Sequence, residues 1–415
     1  MTPNPADQAV IADFHALSGF GETERGGVQR EAGTEPDGGQ RAWLTQWLSS
    51  RGFTVEFDQI GNQFGMLELV PGAPYVLVGS HLDSQPRGGR YDGAYGVLAA
   101  AHAANRLAGL WRDAGRTPQY NLAVVNWFNE EGSRFQPSMM GSSVYTGKLD
   151  AETALATRDL AGVTVREALE DTGCLGSGRG PEAACYAEIH IEQGRILDEE
   201  DTTIGLVEST WAANKYHLVV HGEQSHTGST VMADRQDAML GAAHLVVAAR
   251  EIADAFTETP LHTSVGQMLI HPNSPVVVAR EVRLHLDLRS ADENVLAEAD
   301  AMLHERFPEI EKKARVRIEK ATAHSWGVLS YNPDGVKLAR SAAEDLGLSH
   351  RHMMTIAGHD STNMKDIVPT VMLFVPSVDG ISHNEKEFTK DEDICAGVDL
   401  LTEVVSRLAD GDLTG

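Results

Sequence analysis

Cysteine is nearly missing from this chain. Three occur in 415 residues, Cys174, Cys185 and Cys395, and none is spaced as CxxC. So small and odd a number excludes a disulfide framework and suits a reducing compartment, so a cytoplasmic location is expected. Positive charge is also short: 34 Lys and Arg face 60 Asp and Glu, a formal net charge of −26. A surface this acidic repels phosphate backbones and anionic lipid, so neither nucleic acid nor a membrane is an expected partner. Long apolar runs are absent too. No stretch approaches the roughly 20 residues needed to cross a bilayer. The opening MTPNPADQAVIADF lacks the basic-then-apolar pattern of a secretory signal. With neither a P-loop nor a GxGxxG after a strand, nucleotide binding is disfavoured.

What is present is ordinary globular composition, 42% apolar and 23% charged, in a chain long enough for two or three domains. Residues 9–18 and 40–51 have the apolar spacing of amphipathic helices. FTVEF, QFGMLELV and the run YVLVGS ending at His81 read as strands, followed by a helix over 96–107 and a buried strand LAVVNWF. Buried strands alternating with helices predict an α/β domain with a largely parallel sheet. Ligands in such sheets bind beyond the carboxyl ends of the strands. Residues 214–323 read differently. A strand NKYHLVVHG, a helix over 233–256, strands near 263–271 and in EVRLHLDLR, a helix over 294–306 and a strand ARVRIEKATA give β-α-β-β-α-β, the ferredoxin-like split unit. A helix over 334–346, the strand TVMLFVP and a helix over 391–408 then restore the α/β character. The expected organisation is a discontinuous α/β domain, 1–212 and 324–415, with an inserted α+β domain at 213–323.

Four segments carry chemistry. In YVLVGSHLDSQPRGGRYDGAYG, a strand ends in His-x-Asp, where Asp83 can accept the second ring N–H of His81. Asp92 follows in a Gly-flanked turn, where a carboxylate can bridge two cations. In VVNWFNEEGSRF, two glutamates follow a buried strand, so one can bind metal while its neighbour serves as general base. EIHIEQG places His190 in an alternating strand, and MLFVPSVDGISHNEKEF places His383 beyond another. Taken singly, each also fits a structural role: a surface pair, a solvated acidic turn, a strand histidine.

Taken in order, these segments and the GHD of residues 358–360 resemble the M20 family of metallohydrolases. Within it they are most similar to the amidase group of N-carbamoyl-L-amino-acid hydrolases, allantoate amidohydrolases and β-ureidopropionases. The resemblance runs from GGVQR and DQIGN to GISHNEKE. It implies a di-metal exopeptidase-like fold with an inserted lid and dimerisation domain. It also implies two divalent cations per subunit (zinc, manganese, cobalt or nickel), held by His81, Asp92, Glu131, His190 and His383 with Asp92 as the bridge. Glu130 would be the general base that later protonates the leaving nitrogen. GEQSHTGSTVMADRQDAM resembles the family's N-H-A-G-T-T-P-M loop, whose histidine, here His226, reaches the substrate carbonyl from a partner subunit. A homodimer follows. LHLDLRS matches the segment whose arginine, here Arg289, binds a substrate carboxylate, and Gln193, His359 and Ser382 fall at site-lining positions.

Departures bear on the substrate. Val276 stands where the family has an asparagine that bonds the substrate, Val231 replaces a proline, and Ser143 stands where arginine is common. An apolar side chain in place of an amide removes a donor and leaves a hydrophobic wall. The implied reaction is hydrolysis of a linear amide, an N-carbamoyl-L-amino acid bulkier or more apolar than allantoate or N-carbamoyl-β-alanine. N-acyl amino acids or dipeptides cleaved at the same di-metal site, or an allantoate- or ureidopropionate-type substrate, are the alternatives. A non-catalytic scaffold would have no need for all five ligands and Glu130.

Overall fold

The structure, a computed structural model, describes residues 5–413. The chain begins with helices α1 (Pro5–Ser18) and α2 (Glu35–Ser49), then strands β1 (Thr54–Phe57), β2 (Gln63–Leu67) and β3 (Tyr75–His81). Helix α3 (Ala94–Ala114) and strand β4 (Asn121–Trp127) follow. Three short helices, α4 (Met140–Tyr145), α5 (Ala151–Leu155) and α6 (Val165–Asp171), lead to β5 (Ala183–Ile191), α7 (Ile196–Glu199) and β6 (Ile204–Thr210). Next come β7 (Ala212–His221), β8 (Ser225–His226), α8 (Ala238–Ala255), β9 (Leu261–His271) and β10 (Val277–Val278). After β11 (Glu281–Ser290), α9 (Glu293–Ala314) and β12 (Arg317–Trp326), the chain ends with α10 (Pro333–Asp345), β13 (His350–Thr355), α11 (Asp360–Met364), β14 (Thr370–Val375) and α12 (Asp391–Ala409).

The chain divides into two compact units. The second comprises Ser209–Ser330 with Met354–Ile356, and the first holds the remainder. The division falls a few residues outside the 212/213 and 323/324 positions expected. Ser209 bridges Ser330, the Thr210 amide donates to the Leu329 carbonyl at 3.0 Å, and that of Trp211 donates to Thr355 at 2.8 Å. These rungs extend the second unit at both of its ends.

In the first unit an eight-stranded sheet runs β1-β2-β4-β3-β5-β14-β6-β13. Its centre, β4-β3-β5-β14, is parallel, and β1, β2 and β6 pair antiparallel. The central strands are largely apolar without alternation and buried along nearly all their length, only the first residues of β3 and β5 being half-buried, as a sheet covered on both faces requires. Helices α3 and α12 supply one cover, with Val97, Leu98, Leu107, Leu401 and Val405 in the same core as Val76, Val78 and Leu373. Gly96 lets α3 come close: a Cβ there would stand 2.3 Å from the Ile189 carbonyl oxygen. A parallel centre places the ends of β3, β4, β5 and β14 along one edge, and the candidate site lies there.

The second unit is a four-stranded antiparallel sheet, β12-β7-β11-β9, with α8 and α9 packed on one face. In β11 the inward residues Val282, Leu284, Leu286 and Leu288 are buried, and the intervening polar ones face outward. Helix α8 starts at residue 238 rather than 233 because Asp237 caps it, accepting the amides of Met239 and Leu240. Helix α9 continues past Pro308, where the sequence predicts an end, since Ile310 and Ala314 beyond it are buried. Their burial outweighs a penalty of about 3 kcal/mol for an interior proline. Among the described residues no helix is long and apolar enough to cross a membrane.

Candidate metal centre

Backbone geometry prepares the imidazoles. His81 closes β3, and its Nδ1 bonds the Asp83 carbonyl at 2.9 Å; the Nδ1 of His190, in β5, bonds the Ile191 carbonyl at 2.8 Å. A carbonyl only accepts, so both Nδ1 atoms carry the proton and both Nε2 atoms point onward. They point at Asp92. Its Oδ1 lies 3.0 Å from His190 Nε2 and 3.5 Å from His81 Nε2, and its Oδ2 lies 3.2 Å from His383 Nε2. His383 Nε2 is also 3.3 Å from a Glu131 oxygen. Asp92 therefore belongs to two groups able to hold a cation, His81–Asp92–His190 and Asp92–Glu131–His383, the donor atoms of each lying within 4.8 Å of one another.

Lone pairs of neutral imidazoles aimed at a carboxylate repel it unless a positive charge sits between them. The donor set fits divalent cations on that ground, and imidazole with carboxylate suits zinc, manganese, cobalt or nickel alike. Without cations, protons take the role. Burial disfavours the charged ring of His81, yet Glu130, Asp92 and Asp83 hold its pKa well above the ordinary value. Against burial, Glu131 and Asp92 raise His383 to about 10. Burial also opposes ionisation of Asp92, but His190, His383 and His81 hold it well below its usual range. Gly93 is required here: its φ is +62°, and a Cβ would lie 2.3 Å from the His81 ring.

Asp83 corrects an expectation. Its carboxylate oxygen stands 3.7 Å from His81 Nδ1, too far for the bond the sequence suggested, and its backbone carbonyl fixes the ring instead. The carboxylate accepts the backbone amides of Glu130 (3.1 Å) and Glu131 (3.2 Å). Holding both amides while Asn129 adopts a left-handed φ of +52°, it sends the two glutamates in different directions. Glu131 faces His383. Glu130, buried at 7% exposure, stands 3.4 Å from His81 Nε2 and belongs to neither cation group. Burial pushes its carboxyl well up; His81 opposes this, and Asp360, Glu131 and Asp92 reinforce it.

The residues expected to line the site divide between the units. Gln193 Nε2 donates to Asp92 Oδ2 (2.7 Å) and to Ser382 Oγ (3.1 Å), and His359, buried, places its ring 4.5 Å from that of His190. Ser143 accepts the Asn363 amide rather than occupying an open position. His226, Val276 and Arg289 belong to the second unit. The β8–β10 pair sets His226 opposite Val277, beside Val276, which is 60% exposed. His226 Nδ1 accepts the amides of Gly228 and Ser229, so its proton sits on Nε2. Arg289 is held by Asp287 (2.6 and 3.0 Å) and by the Ile356 carbonyl (2.8 Å).

Sequence reasoning missed Glu387. It looks like one more surface charge in NEKE, yet it is 4% exposed and accepts the amides of both Tyr91 and Asp92. Burial and the neighbouring Asp92 push it up to about 7. Three of the residues around this centre, Asn129, Gln193 and His383, have left-handed φ without being glycine, a strain that gathers at functional sites.

A parallel-centred α/β sheet carrying such a cluster along its carboxyl edge defines the class as a hydrolase with a candidate metal centre. The model of Peptidase family M20/M25/M40 matches residues 77–407, and the chain belongs to that family, in its hydantoinase/carbamoylase amidase group. A chain of Mycolicibacterium smegmatis, named only provisionally and only as a hydrolase, is 61% identical over 98% of this chain and 94% of its own. An N-carbamoyl-L-amino-acid amidohydrolase of Rhizobium meliloti is 33% identical over 95% of this chain and 94% of its own. The crystal structure of an amidase of the hydantoinase/carbamoylase family from Burkholderia vietnamiensis superposes with a TM-score of 0.91 at 35% identity, covering 98% of both chains. The protein is an amidohydrolase of linear amides.

Proposed function

We propose that the chain hydrolyses an N-carbamoyl-L-amino acid to the amino acid, CO2 and ammonia. The carrying observation is that Asp92 shares its two oxygens between two groups of possible ligands, with Glu130 beside them and a member of neither. His81, Asp92 and His190 would hold one divalent cation, and Asp92, Glu131 and His383 the other. Divalent cations held there would supply Lewis acidity, lowering the pKa of the attacking water and offsetting negative charge as it develops on the carbonyl oxygen. Glu130 takes a proton from the water that attacks the carbamoyl carbon and returns it to the amino-acid nitrogen as the C–N bond breaks. His226, with its proton on Nε2, donates to the carbonyl oxygen, and Arg289 binds the carboxylate. The names of the relatives support the carbamoyl substrate.

The exposed Val276 supports a bulkier or more apolar amino acid. After reconstitution with manganese, cobalt or zinc, a panel of N-carbamoyl and N-acyl amino acids should release ammonia from the former, fastest with large apolar side chains. Val276→Asn should move that preference toward small polar substrates by about tenfold or more. Turnover of N-acyl compounds alone, or of only allantoate and N-carbamoyl-β-alanine, would overturn the assignment.

The chain also acts as a homodimer, with His226 serving the partner's substrate. Helix α8 leaves Met239, Leu240, Val246 and Val247 exposed, an apolar strip suited to a second copy. Val247→Glu should run as a monomer in light scattering and lose about 100- to 1,000-fold in kcat, the usual loss for one oxyanion donor. A monomer of full activity would end this reading. The three free cysteines are in keeping with a cytoplasmic location.

A further inference from the structure

Glu387 stands outside the candidate ligands, and both its oxygens are already in use. Oε1 accepts the amides of Tyr91 (2.9 Å) and Asp92 (3.0 Å), and Oε2 accepts the Ser382 hydroxyl (2.9 Å). It joins two stretches of chain nearly 300 residues apart, the turn that carries Asp92 and the loop that carries His383. Gly89 yields the space for it, since a Cβ there would fall 2.0 Å from the carboxyl carbon. The same device occurs once more at this centre: Asp83 accepts two consecutive amides, those of Glu130 and Glu131. The fully buried guanidinium of Arg30 attracts both of these carboxylates.

Charge-assisted bonds to backbone amides are short, directional and stronger than neutral ones. The turn they restrain here, Tyr91-Asp92-Gly93, contains a glycine and would otherwise sample many conformations. We propose that Glu387 is a positioning residue of the metal centre: it fixes Asp92 between the two cation positions and keeps the His383 loop in register with it. This rests on the metal-centre reading above. Glu387 cannot double as a ligand without giving up one of these bonds, and the two ligand-bearing turns are thus each clamped by one buried carboxylate.

Chelator competition on the cation-loaded protein tests this. Glu387→Gln should release cations at about 10- to 100-fold lower chelator activity than the wild type, the usual effect of removing an outer partner of a metal ligand. kcat should fall with it and KM change little. Asp13→Asn is the control for stability alone. Asp13 accepts the Trp47 and His102 ring nitrogens in the same unit, away from the cluster, so this variant should lower the melting temperature and leave cation release unchanged. If Glu387→Gln does not fold, Glu387→Asp, which keeps the charge but retracts it by one methylene, should show a smaller shift of the same sign. A folded variant with wild-type cation release overturns the inference by itself. A wild-type chain that binds no divalent cation overturns the metal-centre reading and this inference together.

Discussion

Glu130→Ala should keep its cations and turn over substrate about 100- to 10,000-fold more slowly than the wild type, the range expected for a lost general acid–base group. The structure separates the two properties. Glu130 belongs to neither cation group, and what holds its backbone in place is the Asp83 carboxylate on its amide, a bond that the substitution spares. Its carboxyl is buried, and burial pushes it well above the usual glutamate range, so it is a stronger base than an exposed glutamate. The base must be ionised, so activity falls as the pH drops through the pKa of this carboxyl. The acid limb of the kcat/KM profile that belongs to Glu130 should vanish in the variant. Elemental analysis and ammonia release measured on one preparation decide the matter. A variant with wild-type turnover, or one that has lost its metal, refutes the role.

Asp92→Ala should give the opposite signature. Both groups of possible ligands depend on this residue, through Oδ1 to His190 and His81 and through Oδ2 to His383. One substitution therefore weakens both positions, and at most one cation per chain should survive dialysis. Cations of this kind contribute several kcal/mol to the transition state, so kcat/KM should fall by about 1,000-fold or more. Circular dichroism should show a folded protein, since the side chain removed is a polar one outside the apolar core that Tyr91 and Ala94 join on either side of it. Two cations retained per chain would mean that the bridging role belongs elsewhere.

Much of the centre could be read in the order of the residues because chemistry concentrated it in short runs. HxD after an apolar strand, NEE after another and HIEQG in a third place their side chains at the ends of strands, and the parallel sheet places those ends together. Asp83 was legible as a partner of the site but not for its task, since sequence cannot tell whether a side chain or a backbone carbonyl reaches a ring nitrogen. Glu387 was illegible because its partners are two amides of a turn nearly 300 residues away, and nothing in NEKE marks one acid as buried. Strands β6 and β13 were likewise missed. IGLVEST and HRHMMT carry mixed patterns, and they join the sheet by pairing beyond β14, with β13 as the edge strand. In the second unit the alternation of EVRLHLDLR was enough, because only one of its faces is covered.

The ladder joining β8 to β10 is only two rungs long, Val277 opposite His226 and Val278 opposite Ser225, and it knits together two surface loops some fifty positions apart. For redesign these loops form a single exchangeable cassette. Grafted as a pair from a relative, they carry their own stitching with them. Grafted singly, either one arrives without its mate, and His226 loses the strand that holds it beside Val276.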